Sequence, residues 1–225
     1  MAVAGRDPSA LPFAGRADAG RRLAGLLELE RDPRTLVVGL PRGGVVVAAE
    51  VAHALGAPLE VVTVRKVCHP RQPELAIGAV THGDGLYLRS SEGLPEREVT
   101  AAVTRAFERA AELERALRTG RPAPDLRGRI LVVVDDGLTT GATMIATLRW
   151  ARARGAARVV AAFPVGAAQS MALVRAECDG VVCPNVLPDL KAVGCWYRDF
   201  EQVETAEVMR LLAVGRPEAP AAGDA

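Results

Sequence analysis

Residues 131–143, which read Leu-Val-Val-Val-Asp-Asp-Gly-Leu-Thr-Thr-Gly-Ala-Thr, set the architecture of this chain. The unbroken apolar run at their start predicts a strand that is buried on both faces. Two adjacent carboxylates, Asp135 and Asp136, follow where that strand should end, and a helical pattern begins at Ala142. Ligands of open parallel sheets bind at the carboxyl ends of the strands, so both carboxylates are candidates for a binding site.

The loop after the carboxylates has the composition of a phosphate site. Gly137 and Gly141 allow the backbone to turn tightly and to approach a ligand closely. The N–H groups at a helix start bind anions, and the hydroxyls of Thr139, Thr140 and Thr143 can add donors. Because carboxylates repel phosphate, the acidic pair suits sugar hydroxyls or a magnesium ion that bridges to phosphate. The implied ligand is a ribose phosphate.

This order of residues resembles the signature with which type I phosphoribosyltransferases bind phosphoribosyl diphosphate. A Walker loop or a dinucleotide fingerprint would need a different spacing, and neither pattern is present here. The resemblance implies that Asp135 and Asp136 are catalytic and hold the ribose hydroxyls, reaching Mg²⁺ indirectly through those hydroxyls or water. The residues that it assigns to the 5′-phosphate are Gly137, Thr139, Thr140, Gly141, Ala142 and Thr143. The alternative is an ordinary strand-loop-helix turn with an acidic, exposed end.

A second turn of the same kind follows the predicted strand at residues 36–39. It contains Arg42, Gly43 and Gly44 and precedes a helix predicted over residues 45–55. Exposed backbone N–H groups and a fixed guanidinium suit a pyrophosphate, and the turn resembles the pyrophosphate loop of the same family. A plain Pro/Gly turn whose arginine points to solvent is the alternative.

A third strand, predicted over residues 59–64, would deliver Arg65 and Lys66 to the same edge of the sheet. This Arg-Lys pair is similar to that of the adenine and orotate branches of the family, where it touches the pyrophosphate. We therefore assign both residues to the pyrophosphate and give Lys66 a catalytic role at the leaving group. Residues 67–73 are predicted to be a mobile lid loop. Residues 75–80 should pair with Leu86–Leu88 in a hairpin.

The alternation of strand and helix patterns predicts an α/β fold with a doubly wound, mainly parallel sheet and right-handed crossovers. Further strands are predicted at residues 158–163 and 180–183, and the long helix should begin at Pro95. We expect a loose N-terminus over residues 1–15 and a phosphoribosyltransferase-like domain over residues 16–212. A final helix at 203–212 should precede a disordered tail over residues 213–225.

Residues 184–200 break the alternation and hold three of the few aromatic residues, Trp196, Tyr197 and Phe200. In the family that the chain resembles, a small hood over the sheet edge holds the acceptor base. The segment is similar to that of bacterial phosphoribosyltransferases whose acceptor is unassigned, so these aromatics are candidates for a C-terminal acceptor hood. The alternative is that they attach the C-terminal segment to the core. Members that use hypoxanthine or guanine carry Asp where Thr139 stands, which argues against that substrate class.

Composition narrows the possible partners. The chain has 225 residues and a net charge of +1, which argues against an extended nucleic-acid surface. It has neither an apolar run of membrane-spanning length nor a signal-peptide hydrophobic region, so we expect no membrane contact. The spacing of the four cysteines suits reduced thiols and predicts a cytoplasmic protein. We also expect a homodimer.

The function implied by the resemblance is magnesium-dependent phosphoribosyl transfer. An acceptor nitrogen, expected to belong to a small base, would displace pyrophosphate from phosphoribosyl diphosphate. A non-catalytic sensor module that binds phosphoribosyl diphosphate or a nucleotide is the alternative, because the binding signature also occurs in such proteins. Pyrophosphate release in the presence of a base distinguishes the two.

Overall fold

A computed structural model describes residues 13–83, 85–89, 91, 93–118 and 122–214. The strands are β1 (Thr35–Gly39), β2 (Leu59–Val61), β3 (Val64–His69), β4 (Gln72–Thr81), β5 (Leu86–Leu88), β6 (Ile130–Val134), β7 (Arg158–Ala162), β8 (Val165–Ala167), β9 (Gly180–Val182) and β10 (Asn185–Leu187). The α-helices are α1 (Arg16–Ala24), α2 (Gly43–Leu55), α3 (Glu96–Arg118), α4 (Ala142–Ala153), α5 (Ala168–Arg175) and α6 (Thr205–Val214).

The central sheet has five parallel strands in the order β2-β1-β6-β7-β9. From β1 the chain moves through α2 to one side of the sheet, and from β6 it moves through α4 to the other side. The switch point, where ligands of such sheets bind, therefore lies between the carboxyl ends of β1 and β6. The prediction of a doubly wound, mainly parallel α/β fold is confirmed.

Helices cover both faces of the sheet because alternate strand residues point to opposite sides. On β6, Leu131 and Val133 pack in one apolar cluster with side chains of α4, whereas Val132 and Val134 pack in a second cluster with side chains of α2. All five residues of β1 and of β6 are buried. The two strands that end at the predicted site are thus fixed on both faces.

The strand predicted over residues 59–64 is divided. β2 ends at Val61 in the central sheet, and β3 begins at Val64 in a separate antiparallel sheet of order β3-β4-β5. Arg65 and Lys66 therefore lie within β3. The sequence had predicted them just beyond the end of a strand. Thr63 marks the division, since its hydroxyl donates to Glu114 Oε2 at 3.0 Å on α3 and its carbonyl accepts from the His82 N–H at 2.9 Å.

The prediction of a lid loop over residues 67–73 is wrong. β3 extends to His69 and β4 starts at Gln72, and the pair His69–Gln72 closes a tight turn. The Arg71 N–H donates to His69 Nδ1 at 3.1 Å within that turn. The predicted pairing of residues 75–80 with Leu86–Leu88 is confirmed by the antiparallel pair β4–β5.

Residues 184–200 contain a short strand and a short helical turn that the sequence did not predict. β10 pairs in parallel with β8, and a 3₁₀ turn spans Val193–Trp196. Helix α6 ends at Val214, two residues beyond its predicted end. Most of the predicted loose N-terminus and disordered tail, residues 1–12 and 215–225, lies outside the described residues. Among the helices described, none has the length and apolarity needed to cross a membrane.

Candidate active site

The loops after β1 and β6 lie side by side. Gly39 and Val134 are register partners, and the Leu40 N–H donates to the Val134 carbonyl at 2.9 Å. The loop after β1 turns through a cis Pro41–Arg42 peptide bond, and the loop after β6 begins with the carboxylates. The two predicted anchors of the site therefore meet at one point of the sheet edge.

Close packing against the carboxylates explains why residues 43 and 44, at the start of α2, are both glycine. A Cβ atom on Gly44 would lie 2.9 Å from both Asp135 Cα and the Val134 carbonyl oxygen, and backbone atoms cannot give way easily. A Cβ atom on Gly43 would collide with the Asp136 carboxylate. The helix start has no side-chain cap, so the first-turn N–H groups stay beside the carboxylates.

The two carboxylates have different environments. Asp136 Oδ2 accepts a hydrogen bond from Arg16 Nε at 2.8 Å, and the same guanidinium donates through Nη1 to the Glu201 carbonyl at 2.8 Å. Asp135 instead lines an open cleft, and its Oδ1 accepts from the Asp136 N–H at 2.9 Å. Asp135 is therefore the carboxylate that a ligand in the cleft would meet.

Burial governs the protonation of both carboxylates. It raises the pKa of Asp135 well above its ordinary value, and the neighbouring Asp136 carboxylate raises it further, whereas the Asp136 N–H, Lys66 and Arg16 act in the opposite direction. Burial also raises the pKa of Asp136, although its hydrogen bond from Arg16 opposes that rise. A ligand that brings positive charge or hydroxyl donors to Asp135 would offset this unfavourable desolvation.

The main chain of the predicted phosphate loop is held by its neighbours. The Leu138 N–H donates to the Val165 carbonyl at 2.9 Å, and the Ser170 hydroxyl donates to the Thr139 carbonyl at 2.5 Å. Gly141 has φ of +77°, a left-handed conformation that favours glycine. No side chain caps the start of α4. The first N–H groups of a helix have no acceptor within the helix, so those of α4 can bind an anion.

The cleft beside Asp135 has a volume of about 330 Å³ and a cationic wall. It is lined by Arg65 and Lys66 from β3, Arg109 from α3, and Thr143 at the start of α4. Burial lowers the pKa of Arg65, and the nearby positive charges of Arg42 and Arg109 lower it further. The Arg65 guanidinium thus lies close enough to Arg42 and to Arg109 to be repelled by both. A larger cavity of about 460 Å³ lies beside β9, and none of the predicted site residues lines it.

The aromatic residues of the predicted hood are engaged in packing. Tyr197 is 6% exposed and its ring lies 5.3 Å from that of Phe13 and 5.0 Å from that of Phe200, between centroids. Its hydroxyl donates to the Asp136 carbonyl at 2.5 Å. The Arg16 guanidinium lies 3.8 Å from the Phe200 ring centroid, and Trp196 packs against two small apolar clusters. These contacts favour the packing alternative over a free stacking face for Tyr197.

A family model for the phosphoribosyl transferase domain matches residues 14–196. The chain belongs to the phosphoribosyl transferase family. Two curated relatives from Mycobacterium tuberculosis, strains CDC 1551 and H37Rv, are each 44% identical over 205 residues and are named as candidate phosphoribosyl transferases. Each match covers 89% of this chain and 46% of the relative, so the chain spans about half the length of the curated relatives it matches. The crystal structure of TT1426 from Thermus thermophilus has a TM-score of 0.78 and 37% identity, covering 92% of this chain and 100% of that one.

In this member of the family, four of the predicted site residues line one cleft: Arg65, Lys66, Asp135 and Thr143. The remaining residues of the predicted phosphate loop lie between Asp135 and Thr143 along the chain, and Gly43 and Gly44 pack against the two carboxylates. Arg42 precedes these glycines, with its guanidinium 4.0 Å from Glu204 Oε2, and the structure directs Asp136 toward Arg16. Sequence reasoning missed Arg16 and Arg109. Arg16 is 120 positions from Asp136, and Arg109 lies on α3, distant along the chain from both loops, so neither had a local signal.

Proposed function

We propose that this phosphoribosyl transferase moves the ribose 5-phosphate group of phosphoribosyl diphosphate to an acceptor nitrogen, with release of pyrophosphate. One observation carries the proposal: a desolvated carboxylate, Asp135, shares a cleft with the cations Arg65 and Lys66 and with Thr143. Phosphoribosyl diphosphate combines hydroxyls with two anionic ends, and this cleft offers a matching partner for each.

The ligand is oriented by these partners. The 5′-phosphate lies in the loop of Thr139, Thr140 and Thr143, where the first-turn N–H groups of α4 and the hydroxyls can donate. The ribose hydroxyls donate to Asp135, and the pyrophosphate lies against Arg65 and Lys66 beside the start of α2. Gly43 and Gly44 let that helix start approach the carboxylates closely.

The residues of the cleft fit a Mg²⁺ ion that the protein and the substrate would bind together. Among the described residues there is no group of three or more His, Cys, Asp or Glu side chains that could hold a metal. Mg²⁺ commonly binds through one or two carboxylates together with substrate phosphates and water, and Asp135 in the cleft can supply one carboxylate. When bound, the ion would neutralise charge on the pyrophosphate. Asp136 is paired with Arg16, so it would not bind the ion directly. It would affect the ion only through its neighbour Asp135.

The reaction is a displacement at the anomeric carbon. The acceptor nitrogen forms a bond to that carbon, and a proton that this nitrogen carried passes to water. The bond to the pyrophosphate oxygen breaks, and the electron pair of that bond leaves with pyrophosphate. Positive charge develops on the ribose ring close to Asp135, and negative charge develops on the leaving group close to Arg65 and Lys66. Catalysis is therefore mainly electrostatic, because fixed charges lie where the transition-state charge appears.

Three further parts of the proposal concern context. The four cysteines are free thiols, which supports a reducing compartment such as the cytoplasm. The homodimer stays a prediction. The identity of the acceptor base also stays open, because the aromatic residues of segment 184–200 are packed against neighbours and define no single base.

In the presence of Mg²⁺, we expect the protein to release pyrophosphate from phosphoribosyl diphosphate only when one member of a panel of purine and pyrimidine bases is added. Lys66→Ala should lower kcat by about 100-fold, a loss typical of removing one transition-state charge partner, and should change KM less. Arg97→Ala, an exposed cation on the first turn of α3, is the matched control and should be unaffected. Tight binding of phosphoribosyl diphosphate without base-dependent release would mean that the protein is a sensor and would overturn the proposal.

A further inference from the structure

A second groove adjoins the cleft. It lies between the β3–β4 turn and α3, has a volume of about 210 Å³, and is lined by the cations Lys66, Arg105 and Arg109. His69 stands at the turn, and α3 contributes Ala102 and Ala106 to the wall beside the two arginines. The small side chains of these alanines leave room between the helix and the hairpin.

The charges of this groove have no acidic counterpart. No carboxylate is among its lining residues, and no ion pair to Lys66, Arg105 or Arg109 is formed within the residues that the structure describes. Arg105 and Arg109 are four residues apart on α3, and like charges at that spacing destabilise a helix. A cluster of three cations with no carboxylate in the groove lining suits an anionic ligand.

The groove adjoins the cleft. Lys66, Cys68 and Arg109 line both cavities, so a ligand that contacts these three side chains can reach both. Arg65 lies in the cleft beyond them, and its pKa is lowered by burial and by the charges of Arg42 and Arg109. Cationic side chains therefore line the cleft and continue into the groove: Arg65, Lys66, Arg109 and Arg105.

We propose that this groove is a second anion site, which takes a phosphate group beyond the two of pyrophosphate. A chain of three or more phosphates would place two of them at the proposed pyrophosphate site and the next between Arg105 and Arg109. This inference rests on the proposed function for the position of the first two phosphates. Its consequence is that such chains compete with phosphoribosyl diphosphate for the cleft.

Isothermal titration calorimetry of the full chain with inorganic pyrophosphate and inorganic tripolyphosphate tests the proposal. We expect tripolyphosphate to bind about tenfold more tightly, because one added phosphate gains charge-assisted hydrogen bonds. Arg105→Ala should reduce that ratio to about one, since it removes the cation that lines only the groove. Arg115→Ala removes an exposed cation from the same helix and should keep the ratio of the unmodified protein.

The proposal is overturned if both anions bind equally to the unmodified protein, or if Arg105→Ala and Arg115→Ala change the ratio by the same amount. A titration with phosphoribosyl diphosphate separates this failure from that of the proposed function. If phosphoribosyl diphosphate binds while the two inorganic anions bind with equal affinity, only the proposed groove site is wrong. If phosphoribosyl diphosphate does not bind while tripolyphosphate still binds more tightly than pyrophosphate, only the proposed function is wrong. Titration with a nucleoside triphosphate then identifies which ligand supplies the phosphate chain. Tighter binding than tripolyphosphate assigns the site to nucleotides, and weaker binding assigns it to inorganic phosphate chains.

Discussion

Asp135→Asn is expected to weaken the binding of phosphoribosyl diphosphate by about 100-fold. Hydrogen bonds to a charged acceptor contribute about 1.5–3 kcal/mol each, and each 1.4 kcal/mol is a factor of about ten. The proposed ligand would donate ribose hydroxyls to this carboxylate, which is the one that lines the cleft. The measurement is calorimetric titration in the presence of Mg²⁺.

The same variant should be more stable without ligand at neutral pH. Burial raises the pKa of Asp135 above its ordinary value of 3.8, so the folded protein holds a proton at pH values where the unfolded chain has released it. Stability therefore falls as the pH rises through that window, and an uncharged Asn removes this loss. We expect a melting temperature about 2–4 °C higher, the shift given by about 1 kcal/mol in a protein of this size. The difference should vanish well below pH 3.8, where the carboxyl is protonated in both states.

Asp189→Asn is the matched control, because Asp189 is exposed and lies away from the cleft. It should change neither the affinity nor the melting temperature. If Asp135→Asn kept the affinity of the unmodified protein, the assignment of the ribose hydroxyls to this carboxylate would be wrong.

Arg16→Ala is expected to destabilise the protein by about 3 kcal/mol, as in other proteins where one partner of a buried ion pair is removed. The side chains of Arg16 and Asp136 are 11% and 17% exposed, and the bond between them is 2.8 Å long. Its loss leaves a poorly solvated carboxylate and also removes the hydrogen bond to the Glu201 carbonyl and the contact with Phe200. The melting temperature should fall by about 10 °C.

Two comparisons isolate the ion pair. Adding Asp136→Asn to Arg16→Ala should restore part of the stability, because no unpaired charge then remains. Arg22→Ala, which breaks an exposed pair with Asp18 on the same helix, should cost less than about 1 kcal/mol. The loss caused by Arg16→Ala should also shrink toward acidic pH as Asp136 takes up a proton. An additive double variant would show that the pair contributes nothing specific.

Local sequence patterns were sufficient where the structure is local. The apolar run of β6 followed by Asp135 predicted a buried strand, a carboxylate at its carboxyl end and a helix after the loop, because one strand-loop-helix unit contains all of these features. The hairpin of β4 and β5 was predicted for the same reason. Family membership followed from the same short stretch.

Sequence patterns were insufficient where distant segments meet. The division of the predicted strand at Thr63 depends on two distant residues. Glu114 accepts a hydrogen bond from the Thr63 hydroxyl, and the His82 N–H donates to the Thr63 carbonyl. The pairing of Arg16 with Asp136 joins residues 120 positions apart. Tyr197 could equally have stacked on a base, and only its contacts with Phe13 and the Asp136 carbonyl favour a packing role.

The central claim is that the cleft beside Asp135 binds phosphoribosyl diphosphate, and thermal unfolding with and without this ligand and Mg²⁺ tests it most directly. Ligand at about 100 times its dissociation constant should add about 2.7 kcal/mol to the free energy of unfolding. We therefore predict a melting temperature about 5–10 °C higher for the unmodified protein and a much smaller shift for Asp135→Asn at the same ligand concentration. An unchanged melting temperature of the unmodified protein at millimolar ligand and Mg²⁺ would contradict the account.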